Sequence, residues 1–222
     1  MHYPIRGVLS QAELDTIHRR LEQAGYVDGR TTASGSAADV KRNLQIDADS
    51  PVRKELAQIV GQALGRHPEF SALAFPKRVA LPTFARYEPG MEYGNHVDAP
   101  FLSGGTIRAD LSITVFLTPP DAYEGGELVM DLNGTEVKHK LDAGDAYIYP
   151  TTYLHRVAPV TRGTRLVAIS WIQSYIPDER QRQIAVQLNS VKLALERDPS
   201  RRAEADTMRA AVFNLLRQWW DA

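Results

Sequence analysis

The residues best suited to chemistry in this 222-residue chain are a few histidines and acids, because the chain has six histidines and no cysteine. His96-Val97-Asp98 sets an imidazole and a carboxylate two positions apart. On an extended strand such residues point to one face, so both could meet a single ion. The pair alone is weak, since an exposed polar strand reads the same way. A third donor, His155, lies far downstream in Tyr153-Leu154-His155-Arg156-Val157. Two histidines and one carboxylate on one side of a metal leave positions open for a bidentate co-substrate and for O2. Arg165 falls on the next expected strand. An inward guanidinium beside a metal pocket is costly unless it meets an anion, and the far carboxylate of a dicarboxylate supplies one. A charge-assisted bond of that kind contributes roughly 1.5–3 kcal/mol.

Without cysteine, the chain cannot build disulfides, thiolate zinc sites, iron–sulfur clusters or a thiol nucleophile. A site made of His, Asp and Glu favours Fe(II), Mn or Zn. Each residue also has a plainer reading. His155 alone is a satisfied core histidine, and Arg165 alone a surface strand residue. His139 is the rival ligand, but its neighbours Lys138 and Lys140 point to solvent. His2, His18 and His67 lie outside the β region and read as surface or structural. Gly125-Gly126 and Gly144-Asp145 read as turns.

The elements that must position these residues follow from hydrophobic spacing. Ser10 and Glu13 fit a capping box, with Leu14, Ile17 and Leu21 on one helical face. Ser50-Pro51 starts a second helix carrying Val52, Leu56, Ile59, Val60 and Leu64, with Gly65 as a stop. The Gly/Ser/Thr-rich stretch 28–38 reads as a loop. From about Arg78, strands are expected at 80–87, 110–117, 127–132, 135–141, 146–149, 156–160 and 165–173. Asn133-Gly134 is the hairpin turn between two of them. Many short strands with frequent turns suggest a sandwich or barrel, a jelly roll being one form. After Pro177, Ile184, Leu188, Val191 and Leu195 form one helical stripe. Asp198-Pro199 breaks it, and Met208, Ala211, Val212, Leu215 and Trp219 form another. The expected division is an N-terminal helical and strand extension (1–77), a core (78–176) and a C-terminal helical segment (177–222).

Taken together, the stretches PIRGVLS, RYEPGMEYGNHVD, RADLSITVFL, YEGGELV, AGDAYIYP, LHRVAPVTRGTR and WIQS resemble the bacterial PKHD-type hydroxylases. These are 2-oxoglutarate- and Fe(II)-dependent oxygenases of the prolyl 4-hydroxylase type. The resemblance spans nearly the whole chain, with no departure at the triad or the arginine. It implies a mainly β fold, a double-stranded β-helix (jelly roll) with flanking helices. It implies that His96, Asp98 and His155 bind Fe(2+), and that Arg165 binds the distal carboxylate of 2-oxoglutarate. Tyr87 matches a position that faces the co-substrate, and Trp171, on the Arg165 face, would wall the pocket. The implied reaction is hydroxylation by O2 of an unidentified substrate, releasing succinate and CO2, with L-ascorbate keeping the iron reduced. An iron-uptake role is implied by the resemblance alone.

With 43% apolar and 24% charged residues and a net charge of −1, the chain suits a globular domain. It has no broad field for nucleic acid or anionic lipid. Neither a signal peptide nor a membrane span is read, so the expected location is cytoplasmic. The helical tail suits a homo-oligomer contact. The segment 99–108 reads as a substrate lid or a plain connector. Two alternatives stand beside the oxygenase. A cupin-type metalloenzyme would need more His or Glu ligands, for which Glu88 and Glu92 are the nearest acids, although both read as turn residues facing water. A non-catalytic iron or 2-oxoglutarate sensor would use the same residues without turnover.

Overall fold

The computed structural model describes residues 2–33 and 35–221. Its centre is a pair of antiparallel sheets facing one another. The larger has eight strands. In spatial order seven of them are Tyr3–Ile5, Ala146–Pro150, Leu111–Phe116, Arg165–Ser174, Thr83–Tyr87, Leu44–Ile46 and Tyr26–Asp28, and Pro76–Val79 pairs beside Arg165–Ser174. The smaller has five: Thr135–His139, Leu128–Leu132, His155–Val157, Glu92–His96 and, at its edge, Lys41–Arg42. The residues ahead of Arg78 thus add strands to both sheets.

Alternation along each strand separates two kinds of core. In Leu111–Phe116 every residue is buried. Leu111, Ile113 and Val115 face a layer built with Leu14, Ile17, Leu21, Leu56, Val60 and Leu64 of the N-terminal helices. Phe116 faces the opposite sheet with Tyr87, Met130, Tyr147, Tyr149, Val157 and Val167. Covering the large sheet on both faces lets the interior between the sheets carry polar groups at chosen places. Burying a side chain such as Leu14 or Leu56 contributes about 1.5–3 kcal/mol, so the helical layer fixes the sheet on which the site is built.

The local signals explain the elements. Ser10 caps the Gln11–Glu22 helix with both bonds of the capping box present. Pro51 opens the next helix, which runs through Gly65 to Arg66. A further short helix, Pro68–Ala74, has no strong sequence signal beyond its leading proline. Asn133 and Gly134 both have positive φ, 56° and 88°, as the tight hairpin between Leu132 and Thr135 requires.

Other expectations are corrected. The stretch 28–38 holds the end of a strand, a 3-10 turn and the start of the short Ser36–Asp39 helix. Glu92 is not in a turn but opens the strand that ends at His96. The C-terminal pair is present as Glu179–Glu196 and Arg202–Trp219. Its first helix buries Arg182 and Ala185, while Ile184 and Val191 of the expected stripe are exposed. Arg182 displaces the apolar stripe because its guanidinium donates to the carbonyls of Ile176 (2.7 Å) and Pro177 (3.3 Å). The pair docks through its end, where Trp220 stacks on Tyr175 at 4.1 Å and Asp221 pairs with Arg108.

Candidate metal centre and its cavity

His96, Asp98 and His155 come together between the sheets. One donor atom from each lies within 4.8 Å of the others, and this is the only such group of three among the described residues. His96 ends one strand, His155 begins the neighbouring one, and the two are paired in register. The strand stops at His96, so alternation does not place Asp98. Asp98 is held in the following loop, where its Oδ2 accepts a hydrogen bond from the buried Ser112 hydroxyl. Its carboxylate lies 3.9 Å from His155 Nε2.

The imidazoles are set for ligation. His96 donates its Nδ1–H to the Gly94 carbonyl (2.8 Å), and His155 donates its Nδ1–H to the Tyr153 carbonyl (2.9 Å). Each bond fixes the tautomer that leaves the Nε2 lone pair free, the usual support for a metal-binding histidine. Tyr93 stacks on His96 at 3.5 Å. Burial, and then the neighbouring His155, lower the His96 pKa to about 4, so the ring is neutral at physiological pH. Two imidazoles and one carboxylate on one side of a point suit a divalent ion that keeps open positions.

These three residues line a cavity of about 210 Å³ that also touches Tyr87, Thr114, Tyr149, Arg165 and Trp171. Arg165 is 1% exposed, and its Nε and Nη1 have no hydrogen-bond partner. Its guanidinium lies 5.0 Å from the Tyr87 ring, across the strand pair, and 5.8 Å from that of Phe116. The Tyr87 hydroxyl is likewise buried and partnerless. Unpaired buried donors of this strength are costly and call for an anion. Trp171 shares the Arg165 strand face, as expected, and its indole N–H is also without a partner.

Several residues at the site had not been singled out. Ser112 and Thr114 are the polar members of an otherwise apolar strand, and that alternation was a usable signal. Gly126, read as a turn residue, has φ +68°, and a Cβ there would lie 3.0 Å from Arg165 Cδ, Tyr123 Cε2 and Val160 Cγ2. The glycine therefore clears the space that Arg165 fills. Lys41, on the edge strand, lines the cavity and had no local signal.

The remaining candidates fall elsewhere. Glu88 pairs with Arg86 at 2.7 Å and Glu92 with Arg42 at 3.5 Å, so neither supplies the additional ligand a cupin-type site would need. His139 is half-buried rather than solvated, stacked on Tyr147 at 3.8 Å. Residues 99–108 form a short ribbon, Phe101–Leu102 against Ile107–Arg108. It is pinned by Arg108 to Asp110 (2.7 Å), and its Leu102 lines the cavity.

A paired-sheet jelly roll with two histidines and a carboxylate between the sheets defines a class of metal-dependent oxygenases. The family description "2OG-Fe(II) oxygenase superfamily" matches residues 82–173. The chain is 43% identical to a PKHD-type hydroxylase of Hyphomonas neptunium, over 100% of this chain and 99% of that protein. It is also 43% identical to one of Methylobacterium nodulans, over 99% and 98%. Among solved structures it resembles a Pseudomonas putida prolyl-4-hydroxylase (TM-score 0.54, 20% identity, 78% and 92% covered). A prolyl hydroxylase of Trichoplax adhaerens, solved with a hypoxia inducible factor peptide fragment, is similar in fold (TM-score 0.56, 18% identity, 82% and 86% covered). The chain belongs to the PKHD-type hydroxylases of the 2OG-Fe(II) oxygenase superfamily, and so is a dioxygenase that uses Fe(II) and 2-oxoglutarate. No helix among the described residues is long and apolar enough to cross a membrane.

Proposed function

We propose that this enzyme hydroxylates a small-molecule, peptide or protein substrate, with His96, Asp98 and His155 holding Fe(II) and Arg165 receiving the distal carboxylate of 2-oxoglutarate. The observation that carries this reading is one cavity lined both by three converging ligand atoms and by a buried guanidinium with unpaired donors. Iron with 2-oxoglutarate and O2 supplies oxidative hydroxylation, releasing succinate and CO2. The chain's own task is orientation and exclusion of water. The Gly94 and Tyr153 carbonyls keep each imidazole in one tautomer, and Ser112 aims Asp98. Arg165 fixes the co-substrate bidentately, while Tyr87 and Trp171 wall it.

L-ascorbate rescues enzyme oxidised in uncoupled turnover. The protein acts in the cytoplasm, in iron uptake or homeostasis. It self-associates through the exposed apolar residues of the C-terminal pair, among them Ile184, Val191 and Phe213.

The first test is succinate formation from 2-oxoglutarate after O2 reaches anaerobically reconstituted protein. Wild type is expected to form succinate and Asp98→Ala none. An Asp98→Ala variant that turned over 2-oxoglutarate normally would sink the ligand assignment. A wild type that binds Fe(II) and 2-oxoglutarate without turnover, even across a substrate panel, would favour a sensor.

A further inference from the structure

Lys41 stands in the cavity with no carboxylate in salt-bridge contact among the described residues, while Asp98 and Asp28 act on its charge from further away. It is 5% exposed although it sits on a two-residue strand at the edge of the smaller sheet. Among the described residues its ammonium makes one hydrogen bond, to the Thr32 hydroxyl at 2.9 Å, and lies 5.1 Å from the Tyr93 ring centroid. Thr32 in turn donates to the buried Gln45 Oε1 at 2.7 Å, which holds the acceptor in place. An ammonium carries three donors, so two remain for a ligand. Burying such a cation is costly unless it is paired.

The charges lining the cavity show what the partner must be. Lys41, Asp98 and Arg165 are its charged side chains besides the histidines. With a metal dication and the 2-oxoglutarate dianion bound, Asp98 and Arg165 complete a neutral set. Lys41 then adds one positive charge to the cavity lining, and its remaining carboxylate neighbour, Asp28, lies outside the cavity. Lys41 reaches the cavity from the smaller sheet and Arg165 from the larger.

We infer that the primary substrate carries a carboxylate, and that Lys41 binds it and so positions the neighbouring C–H at the metal. This deepens the oxygenase reading and rests on it. Lys41 is a specificity-determining residue here: it orients the substrate and takes no part in oxygen chemistry. The cavity of about 210 Å³ admits such a substrate beside the co-substrate only in part, with the remainder lying over the rim at the exposed Val97.

The experiment uses the full chain, anaerobic, with Fe(II) and 2-oxoglutarate. The charge-transfer absorption of that complex is recorded first in wild type, Lys41→Met and Lys41→Arg. Its absence in wild type would defeat the parent reading, whatever Lys41 does. Calorimetry then compares N-acetyl amino acids with their matched carboxamides across the common side chains. At least one acid is expected to bind wild type about tenfold more tightly than its amide. That ratio should fall to about one in Lys41→Met and persist in Lys41→Arg, with 2-oxoglutarate affinity unchanged. No acid preference in wild type, or a preference intact in Lys41→Met, overturns the inference. A Lys41→Met variant that loses 2-oxoglutarate affinity assigns the residue to the co-substrate, and this too overturns it. The wild-type ratio needs no variant, so the inference stays testable if Lys41→Met fails to fold.

Discussion

Two histidines of the smaller sheet lie flat on tyrosine rings, His96 on Tyr93 at 3.5 Å and His139 on Tyr147 at 3.8 Å. Burial is the main reason that each has its pKa lowered to about 4. Pairwise they are nearly alike, yet their company differs. His96 has a second imidazole and a carboxylate close enough to share an ion, and its Nδ1 is anchored to a carbonyl. His139 belongs to no such donor group among the described residues: the nearest imidazole recorded is that of His2, with ring centroids 6.1 Å apart, and its buried Nε2 has no hydrogen-bond partner among them. A depressed histidine pKa therefore marks burial, while a metal centre needs converging donors and a fixed tautomer.

Variants can break or sharpen this contrast. The largest effect is expected from His155→Ala, which removes the second imidazole and should abolish both iron binding and succinate formation, whereas His139→Phe should retain turnover within about twofold of wild type. Equal losses in both would erase the distinction. Next, Arg165→Met should raise the 2-oxoglutarate KM by about ten- to a hundredfold, because a charge-assisted pairing is lost. Iron binding, measured separately, should change little.

Ser112→Ala tests the support beneath Asp98. Loss of such an outer hydrogen bond costs about 10–100-fold in metal affinity, readable by competition with a chelator. The smallest effect concerns pH. The His139 pKa is about 4 in the folded protein against 6.5 in its absence. Between these values the unfolded chain binds the proton and the folded one does not. Stability is therefore full above about 6.5 and declines as pH falls toward about 4. His139→Phe keeps an aromatic ring on Tyr147 and should flatten that part of the melting-temperature profile. An unchanged slope would show that His139 contributes nothing to it.

Much of the β core was legible because its signals are local. Asn133-Gly134 demanded a tight turn, the Ser10–Glu13 box demanded a helix start, and Arg165–Ser174 alternates in a way that puts Arg165 and Trp171 on one face. His96, Asp98 and His155 were legible as residue types in order. What brings Asp98 to His96 was not, since the strand ends between them and a serine from another strand supplies the fixing bond. The C-terminal stripe misled for a related reason. Spacing reports one apolar face, but Arg182 found carbonyl acceptors and took the buried place.

The sequence by itself determined which chemistry was open to this protein: no thiol, two histidines with an acid, an arginine beyond them, and strands enough to carry all four. Only the tertiary structure decided that Lys41 joins them and that Gly126 makes room for Arg165. Side-chain types and short periodicities are properties of neighbours along the chain. Convergence, burial and uncompensated charge depend on which distant segments meet, and those exist only once both sheets have closed on the cavity.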